Sequence, residues 1–474
     1  MNVALVNPPF FDVYKGFEEA ARLGASYPPS GLLYLAGKLL ADGHNVRIYD
    51  MDIERLTVED LMVRLRDFNP GIIGMGATTP IMARAEDISE RIKQEMDTPI
   101  VLGGIHVTIE REAAMRAAPH IDYAVLGEGE ITLSDLVASM ESSNDVTKVP
   151  GLLVRLGDEI IQTPARDLIR DLDTLNFPPR ELLAGQYNWL APNKGNIPIA
   201  VLFTKRGCPF MCSFCSQHSM YGRKIRSRSV ENVLEELDHI INRMGIDHIL
   251  ILDDTLVVDR KWMLHLCREI RERKLVFTWE GMARASHVDK ELIQAMADVG
   301  LVRLSFGIES GDDEVLKRIH KGVTTTQIRQ AYKWAKEAGI ETRGSAIIGH
   351  PGETQKTAWR TVRFLWSLHH LDQVYLNIMV PYPGTEVFEL ASRSEAGYRL
   401  LSLDYNDYIR YEKSVLEVND LDSDALRKIQ KIALLGFYLH PRRFFYNLFR
   451  SGFRNGFRAA LAFAGSLLKP APKE

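Results

Sequence analysis

Cysteine is scarce in this chain, with four in 474 residues. They are too few and too unevenly placed for a disulfide framework, and they point to a reducing compartment. An excess of one charge is lacking as well. With 58 Lys and Arg against 62 Asp and Glu the net charge is −4, which speaks against a dedicated nucleic-acid binder, whose footprint is a basic surplus. No stretch reaches the roughly 18 unbroken apolar residues of a membrane-spanning helix. The opening, Met1-Asn-Val-Ala-Leu-Val-Asn-Pro-Pro9, has no basic region and too short an apolar run for a signal peptide. Repeats and low-complexity tracts are missing too. The expectation is a cytoplasmic protein of two or three domains, with one reservation about the segment after Pro441.

Three of the four cysteines, Cys208, Cys212 and Cys215, stand together in Lys205-Arg-Gly-Cys-Pro-Phe-Met-Cys-Ser-Phe-Cys-Ser216, a C-x3-C-x2-C spacing. An apolar, strand-like run, Ile199–Thr204, precedes them. Thiolates suit iron–sulfur clusters, and a complete [4Fe–4S] cage takes four, so three on one loop leave one iron open to another ligand. The alternative is a structural zinc knuckle, which wants a fourth Cys or His at matching spacing; His218 is the near candidate. Cys267 lies in an amphipathic helical run and reads as a small buried hydrophobe.

Residues 1–145 alternate strand and helix. Val3–Val6, Asn45–Tyr49, Gly71–Met75, Pro99–Leu102 and Tyr123–Leu126 read as strands, with helices at 30–40, where Ser30 is a candidate N-cap, and at 82–95. That alternation predicts an α/β, doubly wound, flavodoxin-like parallel sheet. Such sheets bind ligands outside their C-terminal strand ends, and this chain puts Gly74, Gly76, Gly103, Gly104, Gly127 and Gly129 there. Residues 146–195 read as a connector with a hairpin at 149–162. From 196 to 390 six strand-like runs follow: Ile199–Thr204, His248–Leu252, Leu275–Trp279, Leu301–Phe306, Thr342–Ile348 and Gln373–Met379. Each is trailed by polar or glycine-bearing loops, as in a partial (β/α)6 barrel, where chemistry collects at C-terminal strand ends. The residues so placed are Asp253, Asp254, Arg284, Glu309, Ser310, Gly349, His350 and Glu353. Taken singly, the two aspartates read equally as helix caps and Glu353 as a first-turn acid. Residues 391–474 are helical. Their tail from Pro441 interleaves Arg442, Arg443, Arg450, Arg454, Arg458, Lys469 and Lys473 with Phe444, Phe445, Phe449, Phe453, Phe457 and Phe463. A tail of this kind either lies in a membrane interface or packs its phenylalanines on the barrel.

The cysteine loop after a strand, with Phe214 before the third cysteine, resembles the cluster loop of the radical S-adenosylmethionine (SAM) superfamily. The resemblance implies that the open iron is chelated by the amino and carboxylate groups of SAM, and that electron transfer from an external low-potential donor cleaves SAM to a 5′-deoxyadenosyl radical. It also implies SAM contacts at Phe214, Asp254, Arg284 (to the carboxylate), Glu309 (to the ribose), Ser310, Ile347 (to the adenine) and Glu353. Pro28-Pro-Ser-Gly-Leu32, Leu102-Gly-Gly-x-His106 and Leu126-Gly-Glu-Gly-Glu130 are similar to the cobalamin-binding domain that precedes the barrel in cobalamin-dependent members. That likeness implies cobalamin contacts at Gly76, Thr78, Gly103, Gly104, Gly127, Glu128 and Gly129. The Asp-x-His-x-x-Gly motif that supplies a lower histidine to cobalt is absent after the first strand. His106 is therefore read as a loop or tail-pocket residue. The likeness covers about residues 1–440 and implies C-methylation of a small-molecule or lipid substrate. Cyclisation with the same cofactors, as in the anaerobic magnesium-protoporphyrin ester cyclase, is the alternative. A tRNA methylthiotransferase-like modifier would want a second cluster and a basic domain, and a cobalamin sensor would not need the cluster loop.

Overall fold

The computed structural model describes residues 1–10, 27–184, 187–192, 194–410 and 414–450, with side chains through Tyr446. The chain forms two compact units. One is drawn from Met1 to Tyr187 together with Ser216–Ser227, the other from Asn188–Cys215 and from Arg228 onward.

The first unit is built on a seven-stranded sheet of β1 (Asn2–Asn7), β2 (Asn45–Asp50), β3 (Ile72–Gly76), β4 (Ile100–Gly103), β5 (Tyr123–Val125), β6 (Leu152–Leu156) and β7 (Glu159–Gln162). Their spatial order is β2-β1-β3-β4-β5-β6-β7. The five parallel strands have the 2-1-3-4-5 order of the flavodoxin-like doubly wound fold. Val3, Ala4, Leu5 and Val6 are all fully buried, the continuous apolar run expected of a strand covered on both faces. Helices Ser30–Ala41 and Glu130–Glu141 pack together, as do Val58–Phe68 and Met82–Lys93. Thr57 and Asp60 close a capping box on Val58–Phe68. Ser30 is not a cap: it is the first helical residue, and its hydroxyl donates to Pro28 O. Where the sequence suggests a connector, β6 and β7 extend the sheet, β6 antiparallel to β5 and β7 antiparallel to β6.

The second unit holds six parallel strands in chain order, Ala200–Leu202, His248–Ile251, Thr278–Ala283, Leu301–Glu309, Glu341–Ile348 and Gln373–Ile378, the partial barrel expected. The third begins at Thr278, not Leu275, so Arg284 follows its last residue directly. Ser229 caps helix Val230–Asp238, its hydroxyl accepting from Asn232 N. Cys267 is buried among hydrophobes in helix Arg260–Glu272, where burial pushes its thiol up to about 12.

The first residues of three barrel strands, His248, Glu341 and Gln373, build a buried polar network with Glu280 and Arg303. Arg303, with no exposed surface, donates through Nη1 to both oxygens of Glu280 (2.6 Å each), through Nε to Glu341 (2.5 Å) and through Nη2 to Leu190 O (3.0 Å). Glu280 also accepts from Trp189 Nε1 (3.1 Å) and lies 3.1 Å from His248 Nε2. Glu341 accepts from Gln373 Nε2 (3.0 Å) and Tyr446 OH (2.7 Å). Tyr446 belongs to helix Pro441–Arg450, the start of the basic aromatic tail. Arg443 of that helix is buried and donates to Leu371 O, Leu368 O and Trp366 O, satisfying carbonyls orphaned at and beyond the end of helix Gln355–Ser367. Phe444 and Phe445 stay exposed, and residues 451–474, which carry Phe453, Arg454, Phe457, Arg458, Phe463, Lys469 and Lys473, lie outside the described residues.

Removing Arg303 strands two buried carboxylates. Arg303→Met is therefore expected to cost about 3–5 kcal/mol, read as a lower urea midpoint at unchanged slope. Burial alone would raise the Glu280 carboxyl, but the His248 hydrogen bond and the Arg303 charge bring it down to about 2. A depressed carboxylate contributes stability above its unfolded pKa and loses it as pH falls toward the folded one. The wild type should lose this contribution between about pH 4.5 and 2, and Arg303→Met should lose less there.

Candidate active site

The cysteine loop leaves the first barrel strand under tight backbone control. Asp253, fully buried after the second strand, accepts from the N–H of Thr204 (2.6 Å) and of Lys205 (3.1 Å) and from the Thr204 hydroxyl. Lys205 Nζ lies 3.7 Å from the same carboxylate and 3.5 Å from the centre of the Trp262 ring. Further along, Ser213 N donates to Ile319 O (3.1 Å), and Ser213 O accepts from Val387 N (3.1 Å). Asp253 is thus a brace, and half-buried Asp254 beside it is the acid nearer the thiols. Cys208, Cys212 and Cys215 are half-buried and are not in disulfides. Burial pushes the Cys208 thiol up, and the Asp254 charge adds to the rise. Three soft donors on one braced loop fit a cluster; among the described residues no three His, Cys, Asp or Glu group as ligands of a single metal ion.

The fourth strand slips register against the fifth between Gly307 and Glu309. Glu309 takes φ +60°, a backbone conformation that costs a non-glycine residue free energy. Its carboxylate accepts from Lys321 Nζ at 2.7 Å, and both groups are buried. A Cβ on Gly307 would come within 2.4 Å of Glu309 Oε1 and 2.6 Å of Lys321 Nζ, so a side chain there would displace the pair. Lys321 Nζ stands 5.8 Å from the Phe214 ring centre, and the Phe214 and His350 rings are 5.9 Å apart. His350 is fully buried with Nδ1 unpartnered, and burial lowers its pKa to about 4, which keeps it neutral.

Arg284, buried, aims Nη1 at Cys212 Sγ (3.7 Å) and lays its guanidinium 3.8 Å from the Phe210 ring centre. Its Nε has no partner. Ile347 is half-buried on the fifth strand. Ser310 and Glu353 turn the other way. The Ser310 hydroxyl is fully buried, 3.1 Å from Thr361 Oγ1, and accepts from Asp312 N. Glu353 Oε2 accepts from Gly349 N (2.7 Å) and His350 N (3.1 Å), and Oε1 has no partner. It precedes the helix, which Thr354 caps, and so is not a first-turn acid. The structure therefore sets Arg284 beside Cys212, Asp254 near Cys208 and Phe214 near the Glu309–Lys321 pair, and adds Phe210, Lys321 and His350, which sequence reasoning did not assign. His350 sits inside a motif already singled out; Lys321, twelve residues beyond Glu309, carries no spacing signal.

In the first unit the glycines mark the carboxyl edge of the sheet. Gly104 has φ +113°, and a Cβ there would come 2.6 Å from Ala77 O; no other residue fits. At Gly76 and Gly103 a Cβ would meet no atom closer than 3.9 Å and 4.0 Å, and at Gly127 nothing within 4 Å. That open edge fits a group laid along the strand ends. Thr78 is exposed there, and Gly129 precedes helix Glu130–Glu141. Glu128 is buried and occupied, its carboxylate taking Arg226 Nη1 (2.8 and 2.9 Å) and Ile169 N (2.8 Å). His106 is buried in the first turn of helix Ile105–Glu110, 3.2 Å from Thr79 Oγ1, and burial lowers it to about 4.

Burial raises the Glu353 carboxyl to about 7. Folding therefore takes up a proton between the unfolded and folded pKa values, and wild-type stability should fall as pH rises from about 4.5 to 7. Glu353→Gln keeps an acceptor for the two N–H groups and should flatten that slope in urea unfolding across this range.

The Radical SAM superfamily model matches residues 202–365, and the B12 binding domain model matches residues 20–137. An uncharacterized methyltransferase of Pyrococcus horikoshii is 33% identical over 98% of this chain and 98% of its own length. The anaerobic magnesium-protoporphyrin IX monomethyl ester cyclase of Cereibacter sphaeroides is 30% identical, covering 92% of this chain and 71% of the relative. The radical SAM methyltransferase TsrM from Kitasatospora setae shares the fold, with a TM-score of 0.71 at 18% identity over 92% of this chain and 88% of its own. With its open-edged glycine loops in one unit and its braced trio of thiols in the other, the chain belongs to the cobalamin-dependent radical SAM enzymes, which work with a [4Fe–4S] cluster, SAM and cobalamin.

Proposed function

We propose that this enzyme is a C-methyltransferase acting on a small molecule. The observation that carries the reading is the braced loop of three half-buried thiols, with Arg284 Nη1 3.7 Å from Cys212 Sγ, in a chain whose first unit matches the B12 binding domain model. When bound, the cluster and SAM supply one-electron cleavage and hydrogen abstraction, and cobalamin supplies a methyl carrier. The chain's own residues bind and orient. Cys208, Cys212 and Cys215 hold iron, and Phe214 shields it. Arg284 pairs the SAM carboxylate, Glu309 accepts from ribose hydroxyls while Lys321 holds its carboxylate in place, Asp254 offers a second acid, and Ile347 packs on the adenine. Ser310 and Glu353 hold the surrounding loops from behind. Gly76, Thr78, Gly103, Gly104, Gly127 and Gly129 receive cobalamin, with Glu128 fixing their loop and His106 taking no part in cobalt ligation.

The likeness to the cyclase supports a second reading, radical cyclisation without methyl transfer. Full-length protein, reconstituted anaerobically, loaded with cobalamin and given SAM and a strong reductant, should form 5′-deoxyadenosine and S-adenosylhomocysteine, and Cys212→Ala should abolish the first. Deoxyadenosine alone would favour cyclisation; a protein that stays colourless after iron and sulfide treatment would defeat both.

A lipid or isoprenoid substrate is the finer proposal, supported by Phe444 and Phe445, exposed on helix Pro441–Arg450. No helix among the described residues is long and apolar enough to cross a membrane, so contact would be peripheral. The full chain should co-sediment with anionic phosphatidylglycerol vesicles, and the double change Phe444→Ser, Phe445→Ser should lower the bound fraction several-fold.

A further inference from the structure

We infer that Arg284 sets the reduction potential of the cluster through Cys212, before SAM arrives; the inference rests on the cluster reading above. Three contacts fix the guanidinium. Nη1 points at Cys212 Sγ (3.7 Å), and the plane lies against Phe210 (3.8 Å), whose ring in turn meets His287 edge-on at 4.9 Å. On a third side stands Gly322, at φ +59°, where a Cβ would come 3.0 Å from Nη2. Residues of three separate loops thus shape one slot for a planar cation.

The cation in that slot is buried and forms no ion pair with a carboxylate among the described residues. A guanidinium stays charged at any accessible pH, and a buried charge without a counter-charge is costly. An oxidised [4Fe–4S] core of charge 2+ bound by three thiolates is net negative by one. A single electron from the external low-potential donor makes it negative by two, with no proton moved and no bond made or broken. A fixed positive charge with an N–H aimed at a ligand sulfur favours the more negative state, so it raises the potential. A guanidinium whose single task is to grip the SAM carboxylate would leave the SAM-free potential unchanged. The aromatic stack at Phe210 holds the charge on Cys212 in the absence of SAM.

The test is an EPR-monitored redox titration of the full-length protein, anaerobically reconstituted, without SAM, with iron and sulfide content matched between samples. Arg284→Gln should move the midpoint to more negative potential. Arg284→Lys, which keeps the charge, should move it less, and Phe210→Leu, which frees the guanidinium without removing charge, should shift it in the same negative sense. An Arg284→Gln protein with full iron content and the wild-type midpoint overturns the inference while leaving the cluster reading intact. Should that variant not take up iron, a wild-type midpoint in Phe210→Leu overturns it equally. Wild-type protein without any reducible cluster signal would sink the cluster reading and this inference with it.

Discussion

An open-coordinate cluster demands three thiols held at fixed spacing on a loop that cannot collapse when one position is left to another ligand. Here the backbone meets that demand. Asp253 ties the N–H groups of Thr204 and Lys205 to the second strand, and Ser213 is clamped through both its N–H and its carbonyl by Ile319 and Val387. None of these bonds spends a cysteine. The thiols stay half-buried, and the ends of the barrel's first and second strands, the chain after the fourth and the helix Glu386–Ser392 after the sixth position their loop jointly. The Glu309 strain is supported in the same way, by the Lys321 ion pair and by the absence of a side chain at Gly307.

The two ends of the barrel treat burial oppositely. At the N-terminal end Arg303, Glu280, Glu341, Trp189, His248 and Gln373 satisfy one another, and no atom of theirs is left unbonded. At the other end Ser213, Thr255, Arg284, His350 and Glu353 each keep a buried polar atom with no partner. A folded chain tolerates a few such atoms, and within the barrel they lie on the loops at the end that carries the thiols. His370 Nδ1 is an unbonded atom of the second unit outside those loops.

Parallel strands covered on both faces announce themselves as apolar runs, so β1 to β5 and most barrel strands were legible within a residue or two. The third barrel strand was not. Leu275-Val-Phe looks like a strand, yet Val276 is 84% exposed, and the strand begins only at Thr278. Its core carries Glu280 and Gly281, which read as loop because Glu280's partners, Arg303 and His248, come from other strands. The cysteines were legible because their spacing is local. Lys321 and Phe210 were not, since each matters for what it touches across the fold. Segment 149–162 reads as a hairpin either way; that it completes the first sheet depends on its pairing with β5.

Motif membership and ligand contact are different properties, and Glu353 separates them. It sits in a Gly-x-Pro-Gly-Glu loop whose resemblance implies a SAM contact, yet its side chain has no exposed surface and one oxygen holds Gly349 and His350 in place. His350 in turn lies against Phe214, the residue that precedes the third thiol. A fully buried carboxyl two contacts away from the cluster loop thus fixes the backbone that carries His350. By the same logic Arg284, which resemblance gives to SAM alone, is held in this structure by Phe210 and aimed at Cys212. The residues that face the iron and those that make it possible for them to do so are interleaved in sequence, and the geometry of the fold tells one set from the other.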